Sequence, residues 1–312
     1  MKTLVLSMIS IAATIAAMTA CTSEGDPIDN IDNGQPVEIK ASAGIGQIIT
    51  KTAGVITDGT VVDDIEFIVT EGESAPADWS AANLTPTDAT IAADKSLTFT
   101  TPQYYNSKAS IKSFLVGYHP KNAGSGSREK NTVSYTITGQ QDIMCTEVKN
   151  GNKTDNKETK LNIEFEHQLA QYSFQILAGD EQAVDTWGKI KSIELIGQQT
   201  TATLTLNTKT LTFSGDATNV ITAGTVETGF DSTNPTTTPV QFGSPIMVKP
   251  TQTGMKVKVV TVNNPDGIEV LLNVESVVST SYIVTLTFKA TEIGATAKIG
   301  EWKTGVGTGD VQ

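Results

Sequence analysis

The chain has 312 residues, with 22 Lys and Arg against 34 Asp and Glu, and the formal net charge of −12 argues against nucleic acid or any polyanionic surface as its partner. That length accommodates two domains with full cores, or one large β domain. Charged residues make up 18% of the chain, threonine accompanies valine and isoleucine throughout, and no long 3.6-residue periodicity occurs, so an all-β fold is expected.

Residues 1–20 have the three parts of a secretory signal: Lys2, an apolar stretch from Leu4 to Ala17, and small residues before Cys21. The stretch is too short for a transmembrane span. Met18-Thr19-Ala20-Cys21 reads as a bacterial lipobox, with Cys21 as the lipidated first residue once the signal is removed. Cys145 is then the one thiol left, so no intramolecular disulfide is expected and the fold rests on packing. Residues 21–36, acidic and rich in Asn, Gly and Pro, read as a flexible tether.

From Pro36 to Thr52 the chain alternates. Val37, Ile39, Ala41, Ala43, Ile45 and Ile49 are apolar and the positions between them mostly are not, which predicts one long strand with a single buried face. Further strands are expected around Ile65–Val69, Leu97–Phe99, Ser113–Pro120, Val133–Ile137 and Leu161–Leu169. The apolar phase then moves to Tyr172, Phe174 and Ile176, which marks either a bulge or passage from one core to another, and the domain boundary is placed there. Ile193–Ile196, a hairpin turning at Asn207–Lys209, Pro245–Val248, a hairpin over Asn263–Gly267, Tyr282–Phe288 and Ile293–Trp302 complete the strands. Asp180–Lys189 is the single helical candidate, a connector, and residues 303–312 are a tail without core-forming side chains.

The marks of an active site are missing: no HExxH, GxSxG, CxxC or Walker A pattern occurs, so no catalytic residue, cofactor or metal is assigned and the chain is not expected to be an enzyme. His119 and His167 lack a Cys or His at ligand spacing. His167 continues the apolar face of its strand and is expected to have a structural role. Asp29, Asp32, Asp63 and Asp64 do not form the alternating oxygens of a calcium loop. Trp79, in a polar loop, either stacks on a sugar or folds back onto the core.

The lipobox Cys21, Ile49-Thr50-Lys51-Thr52-Ala53, Phe114-Leu115-Val116-Gly117-Tyr118-His119-Pro120, Gln140-Gln141-Asp142-Ile143-Met144, Phe165-Glu166-His167-Gln168-Leu169-Ala170 and Ile299-Gly300-Glu301-Trp302 occur in an order and spacing that resembles the fimbrillin-like (Mfa-like, FimA-type) lipoproteins of Bacteroides and relatives. The resemblance implies two tandem transthyretin-like β-sandwiches, here 37–168 and 169–302. It also implies a lipoprotein precursor carried to the outer membrane, then trimmed by a trypsin-like protease and built into a cell-surface fimbrium with a role in adhesion. Trimming between Lys51 and Thr52 would remove the first strand, with Ile39, Ala41, Ala43 and Ile45 facing the core, and a strand of a neighbouring subunit would fill the groove. The family often has Arg where this chain has Lys51, and Arg128 is the single arginine.

Ile293, Ala295, Ala297 and Ile299 repeat the Ile-x-Ala-x-Ala-x-Ile template of the first strand, which makes them the candidate donor. The same segment also reads as the last strand of its own domain. The expected partners are other copies of this subunit, the outer membrane through the lipid, and a host or bacterial surface ligand. Alternative readings are an untrimmed fimbrial anchor or tip adhesin, and a glycan-binding surface lipoprotein.

Overall fold

The computed structural model describes residues 35–46, 59–121, 128–225 and 237–300. In chain order the first half holds β1 (Ala41–Ile45), β2 (Val62–Gly72), β3 (Thr85–Ile91), β4 (Ser96–Phe99), β5 (Lys112–His119), β6 (Arg128–Glu129), β7 (Thr132–Thr136), β8 (Met144–Thr146), β9 (Lys149–Gly151) and β10 (Leu161–His167). The second half holds β11 (Ala170–Ala178), the short helix α1 (Ala183–Trp187), β12 (Ile190–Gln198), β13 (Thr201–Thr205), β14 (Thr210–Ser214), β15 (Asn219–Thr225), β16 (Val240–Val248), β17 (Met255–Thr261), β18 (Ile268–Leu272), β19 (Ser281–Phe288) and β20 (Ile293–Gly300). The protein is all-β.

Eight strands of the first half form one sheet in the order β2-β3-β4-β1-β10-β8-β5-β9, and pairing of β2 with β5 closes it on itself. Alternation explains its interior. Ile65, Phe67 and Val69 from β2, Leu97 and Phe99 from β4, Leu115 from β5 and Leu161, Ile163 and Phe165 from β10 point inward with the β1 side chains into one cluster. Phe67 meets Phe99 and Phe165 edge-on, at ring-centroid distances of 5.5 and 5.9 Å. Gly117 lies opposite Phe67 in the ladder because nothing larger fits: a Cβ there would be 2.6 Å from the Phe67 ring.

The outer face of β2 and β5 is buried as well. Ile68, Phe114, Val116 and Tyr118 pack in a second cluster with Val133, Tyr135, Ala202 and Leu204 of a small sheet ordered β14-β13-β7-β6. A strand covered on both faces reads as a continuous apolar run, which is why Ser113–Tyr118 shows no alternation. The covering sheet is built from both halves of the chain, since β13 of the second half pairs with β7 of the first along Thr201–Thr205. In the β13–β14 hairpin Leu204 faces Leu211 and Ala202 faces Phe213, while Leu206, expected in the strand, lies buried in a 3-10 turn. Lys209 closes that turn at φ 51.

The rest of the second half is two four-stranded sheets, β16-β11-β19-β20 and β15-β12-β17-β18. Tyr172 of β11 stacks on Tyr282 of β19 at 4.8 Å, and the Trp187 indole meets Phe288 while donating to the Lys289 carbonyl, so α1 caps one end of the core. The phase change near Ala170 is a passage between cores: Leu161, Ile163 and Phe165 belong to the first cluster, and Leu169, Ala170, Tyr172 and Phe174 to the second. Two short segments without apolar alternation are also strands: Arg128–Glu129 pairs with β7 and Lys149–Gly151 with β5.

Cys145 is fully buried, and that burial pushes its thiol up to about 12. In a Cys21→Ala chain, a thiol reagent at about pH 8 should therefore label Cys145 no faster than the protein opens. A rapid labelling phase on the folded protein would contradict this.

Candidate functional site

The signal 1–20, Cys21, Lys51, Thr52 and the tail 303–312 lie outside the described residues, as does the part of the expected first strand beyond Gly46. What is described of that strand is its inserted part. β1 lies inside the closed sheet, antiparallel to β4 and parallel to β10. Parallel pairing cannot come from a tight turn, and β2 to β9 make the connection between β1 and β10. Ile39, Ala41, Ala43 and Ile45 are 1–4% exposed, and the residues between them turn away from the core.

Main-chain bonds run along both edges of β1. Ile39 donates to the Gln103 carbonyl and Ala43 to that of Lys95 on one side; on the other, Gly46 donates to the Phe165 carbonyl and Leu161 to that of Lys40. Ile39 and Ile45 lie at the ends of the slot and two alanines in its middle, in one cluster with the rings of Phe67, Phe99 and Phe165. A slot of this shape takes an extended segment and selects alternate side chains by volume.

The candidate donor segment sits elsewhere. β20 pairs with β19 along its whole length, with Phe288 opposite Ile293 and Tyr282 opposite Ile299. It is the last strand of its own sheet and an edge strand, and its burial fades along its length: Ile293 is 8% exposed, Ala295 half-buried, Ala297 exposed and Ile299 67% exposed. β1 and β20 thus carry the same template, one enclosed and the other on an edge.

His167 ends β10 with its side chain 2% exposed. Its Nδ1 is 2.7 Å from Asp142 Oδ1 and its Nε2 2.6 Å from the Gly46 carbonyl oxygen. The Asp142 main-chain carbonyl is in turn 2.9 Å from Nδ1 of His119, whose imidazole burial holds below the usual histidine range. The histidine is structural, with partners that spacing did not reveal, because Asp142 and Gly46 are 25 and 121 positions away. Among the described residues no group of three or more His, Cys, Asp and Glu is placed to hold a metal ion.

Arg128 pairs with Glu66 at 2.5 Å and donates to the Lys130 carbonyl, while Tyr118 donates its hydroxyl to the same carboxylate at 2.7 Å. Burial, then the Glu66 bond, pushes the Tyr118 phenol well up. Trp79 is 6% exposed and belongs to the second core cluster, so it forms no sugar-stacking surface.

Taken together, these features define a β-sheet scaffold built around an enclosed strand. The family comparison agrees: residues 50–302 match the model of the fimbrillin-like proteins, and the chain belongs to that family. Its fold is shared with a candidate cell adhesion protein of Bacteroides uniformis, at a TM-score of 0.59 and 18% identity over 86% of this chain and 100% of the other. A candidate cell adhesion protein of Bacteroides ovatus follows at 0.55 and 13%, over 87% and 99% of the two chains. A fimbrial assembly protein of Parabacteroides distasonis is similar at 0.51 and 7%, over 85% and 97%. No curated protein matches.

Proposed function

We propose that the protein is a structural subunit, a pilin, of a cell-surface fimbrium with a role in adhesion. It is exported as an outer-membrane lipoprotein precursor acylated on Cys21, trimmed between Lys51 and Thr52 by a trypsin-like protease, and joined to further copies when a donor strand fills the emptied groove. The observation that carries this reading is the seat of β1 between β4 and β10, where Ala41, Ala43 and Ile45, with Ile39 just before them, are buried. Family membership and the adhesion and fimbrial descriptions of proteins with the same fold support it. The division into tandem transthyretin-like sandwiches 37–168 and 169–302 belongs to the same reading, with the β13–β14 hairpin as the element that crosses the division.

A second reading, an untrimmed anchor, has its own observation. The single arginine, Arg128, lies in a short strand and is held by Glu66, so a protease strict for arginine finds no accessible site near the first strand. The first residue of the protein recovered from cell envelopes separates the two. Thr52 is expected for a polymerising subunit, and a lipidated Cys21 would make it an anchor. Any other start would remove the assigned processing site.

A further inference from the structure

The slot that holds β1 grips its strand by more than the ladder. At its end one side chain bonds the strand's main chain. His167 Nε2 lies 2.6 Å from the carbonyl oxygen of Gly46, the residue just past Ile45. A carbonyl can only accept, so the ring nitrogen donates.

The imidazole is held from several sides. Asp142, itself 3% exposed, holds Nδ1 at 2.7 Å. The main-chain carbonyl of His167 accepts the Ser279 hydroxyl at 2.5 Å, and Gln168 donates its N–H to Ile143 at 2.8 Å. A donor fixed in this way is met by a main-chain carbonyl only when the strand reaches the end of the slot, whatever its side chains.

We propose that His167 is the end pin of the groove, donating from Nε2 to the main-chain carbonyl one residue beyond the last inward-facing side chain of whichever strand lies between β4 and β10. For β1 that carbonyl belongs to Gly46. The β20 segment extends the likeness by the same residue, since Ile39-Lys40-Ala41-Ser42-Ala43-Gly44-Ile45-Gly46 and Ile293-Gly294-Ala295-Thr296-Ala297-Lys298-Ile299-Gly300 both close on Ile-Gly. A β20 segment from a second copy would present the Gly300 carbonyl to the pin. That use rests on the strand-exchange reading above, whereas the pin on β1 does not.

Amide exchange on the intact full chain tests the pin directly. His167→Leu removes the donor, and exchange at Ala43 and Gly46 should quicken about five- to thirtyfold, with amides of β12 and β17 unchanged. His167→Gln, which keeps an N–H donor, should recover part of the protection. Unchanged β1 exchange, or equal quickening in every strand, overturns the proposal. Should His167→Leu not fold, Asp142→Asn loosens the same ring and is read by the same amides. In a second arm, protein cleaved after Lys51 and freed of its first strand is offered amidated peptides of residues 37–46 and 37–45. The shorter should bind at least about fivefold more weakly to the native protein, and both equally to His167→Leu. Equal binding to the native protein also overturns the pin. Refusal of both peptides counts against strand exchange and leaves the exchange arm to decide the pin.

Discussion

Phe67→Ala is expected to lower stability by about 3 to 5 kcal/mol and to loosen the first strand without any protease. Phe67 is fully buried at the centre of the closed sheet, with Phe99 at 5.5 Å and Phe165 at 5.9 Å, both edge-on. Two aromatic contacts are lost together with the apolar area, and the neighbours cannot collapse into the space because Gly117, opposite, has no side chain to move. Phe165 pairs with Ile45 in the ladder, so the cavity opens beside the inserted strand. Since a whole domain is stable by about 5 to 15 kcal/mol, the loss is a large share of the total. Denaturant titration should show the lower midpoint, and limited proteolysis should cut the Phe67→Ala chain between β1 and β2 well before the native chain. A loss below about 1 kcal/mol would mean that the aromatic cluster does not hold this half together.

Cleavage after Lys51 should convert monomer into a ladder of species stable in unheated detergent, and Lys51→Gln should stay monomeric. The size of the effect follows from how β1 is retained. A seated strand is held by main-chain bonds along both edges and by the buried side chains of Ile39 and Ile45, and its covalent link to the rest of the chain keeps its effective concentration high. Cutting that link lets an equivalent segment of another copy compete on equal terms. A cleaved chain truncated after Thr291 should fail to donate; if it still polymerises, β20 is not the donor. Full-length cleaved protein that remains monomeric would count against strand exchange altogether.

The candidate site was legible in part. Ile39, Ala41, Ala43 and Ile45 were readable as one buried face because alternation is a local property of a strand, and all four are buried. The donor template was equally readable, but its placement was not: nothing in Ile-x-Ala-x-Ala-x-Ile says that one copy is enclosed between β4 and β10 while the other lies on an edge beside β19. Trp79 left two readings open, since a loop residue's burial depends on what packs over it. The domain boundary was drawn where the apolar phase shifts, yet the hairpin that covers β5 comes from beyond it.

By itself the sequence determined the all-β class, the inward face of each alternating strand, the tight hairpins at Asn207–Lys209 and Asn263–Gly267, and the shift of apolar phase near Ala170. These follow from side-chain period and turn chemistry, which act between residues a few positions apart. Only the tertiary structure decided that β1 runs parallel to β10, that β7 and β13 share a sheet, and that His167 is held between Asp142 and Gly46. Distant strands meet through main-chain groups that every residue carries, so their partners are chosen by the packing of the whole core and leave no mark in any one segment.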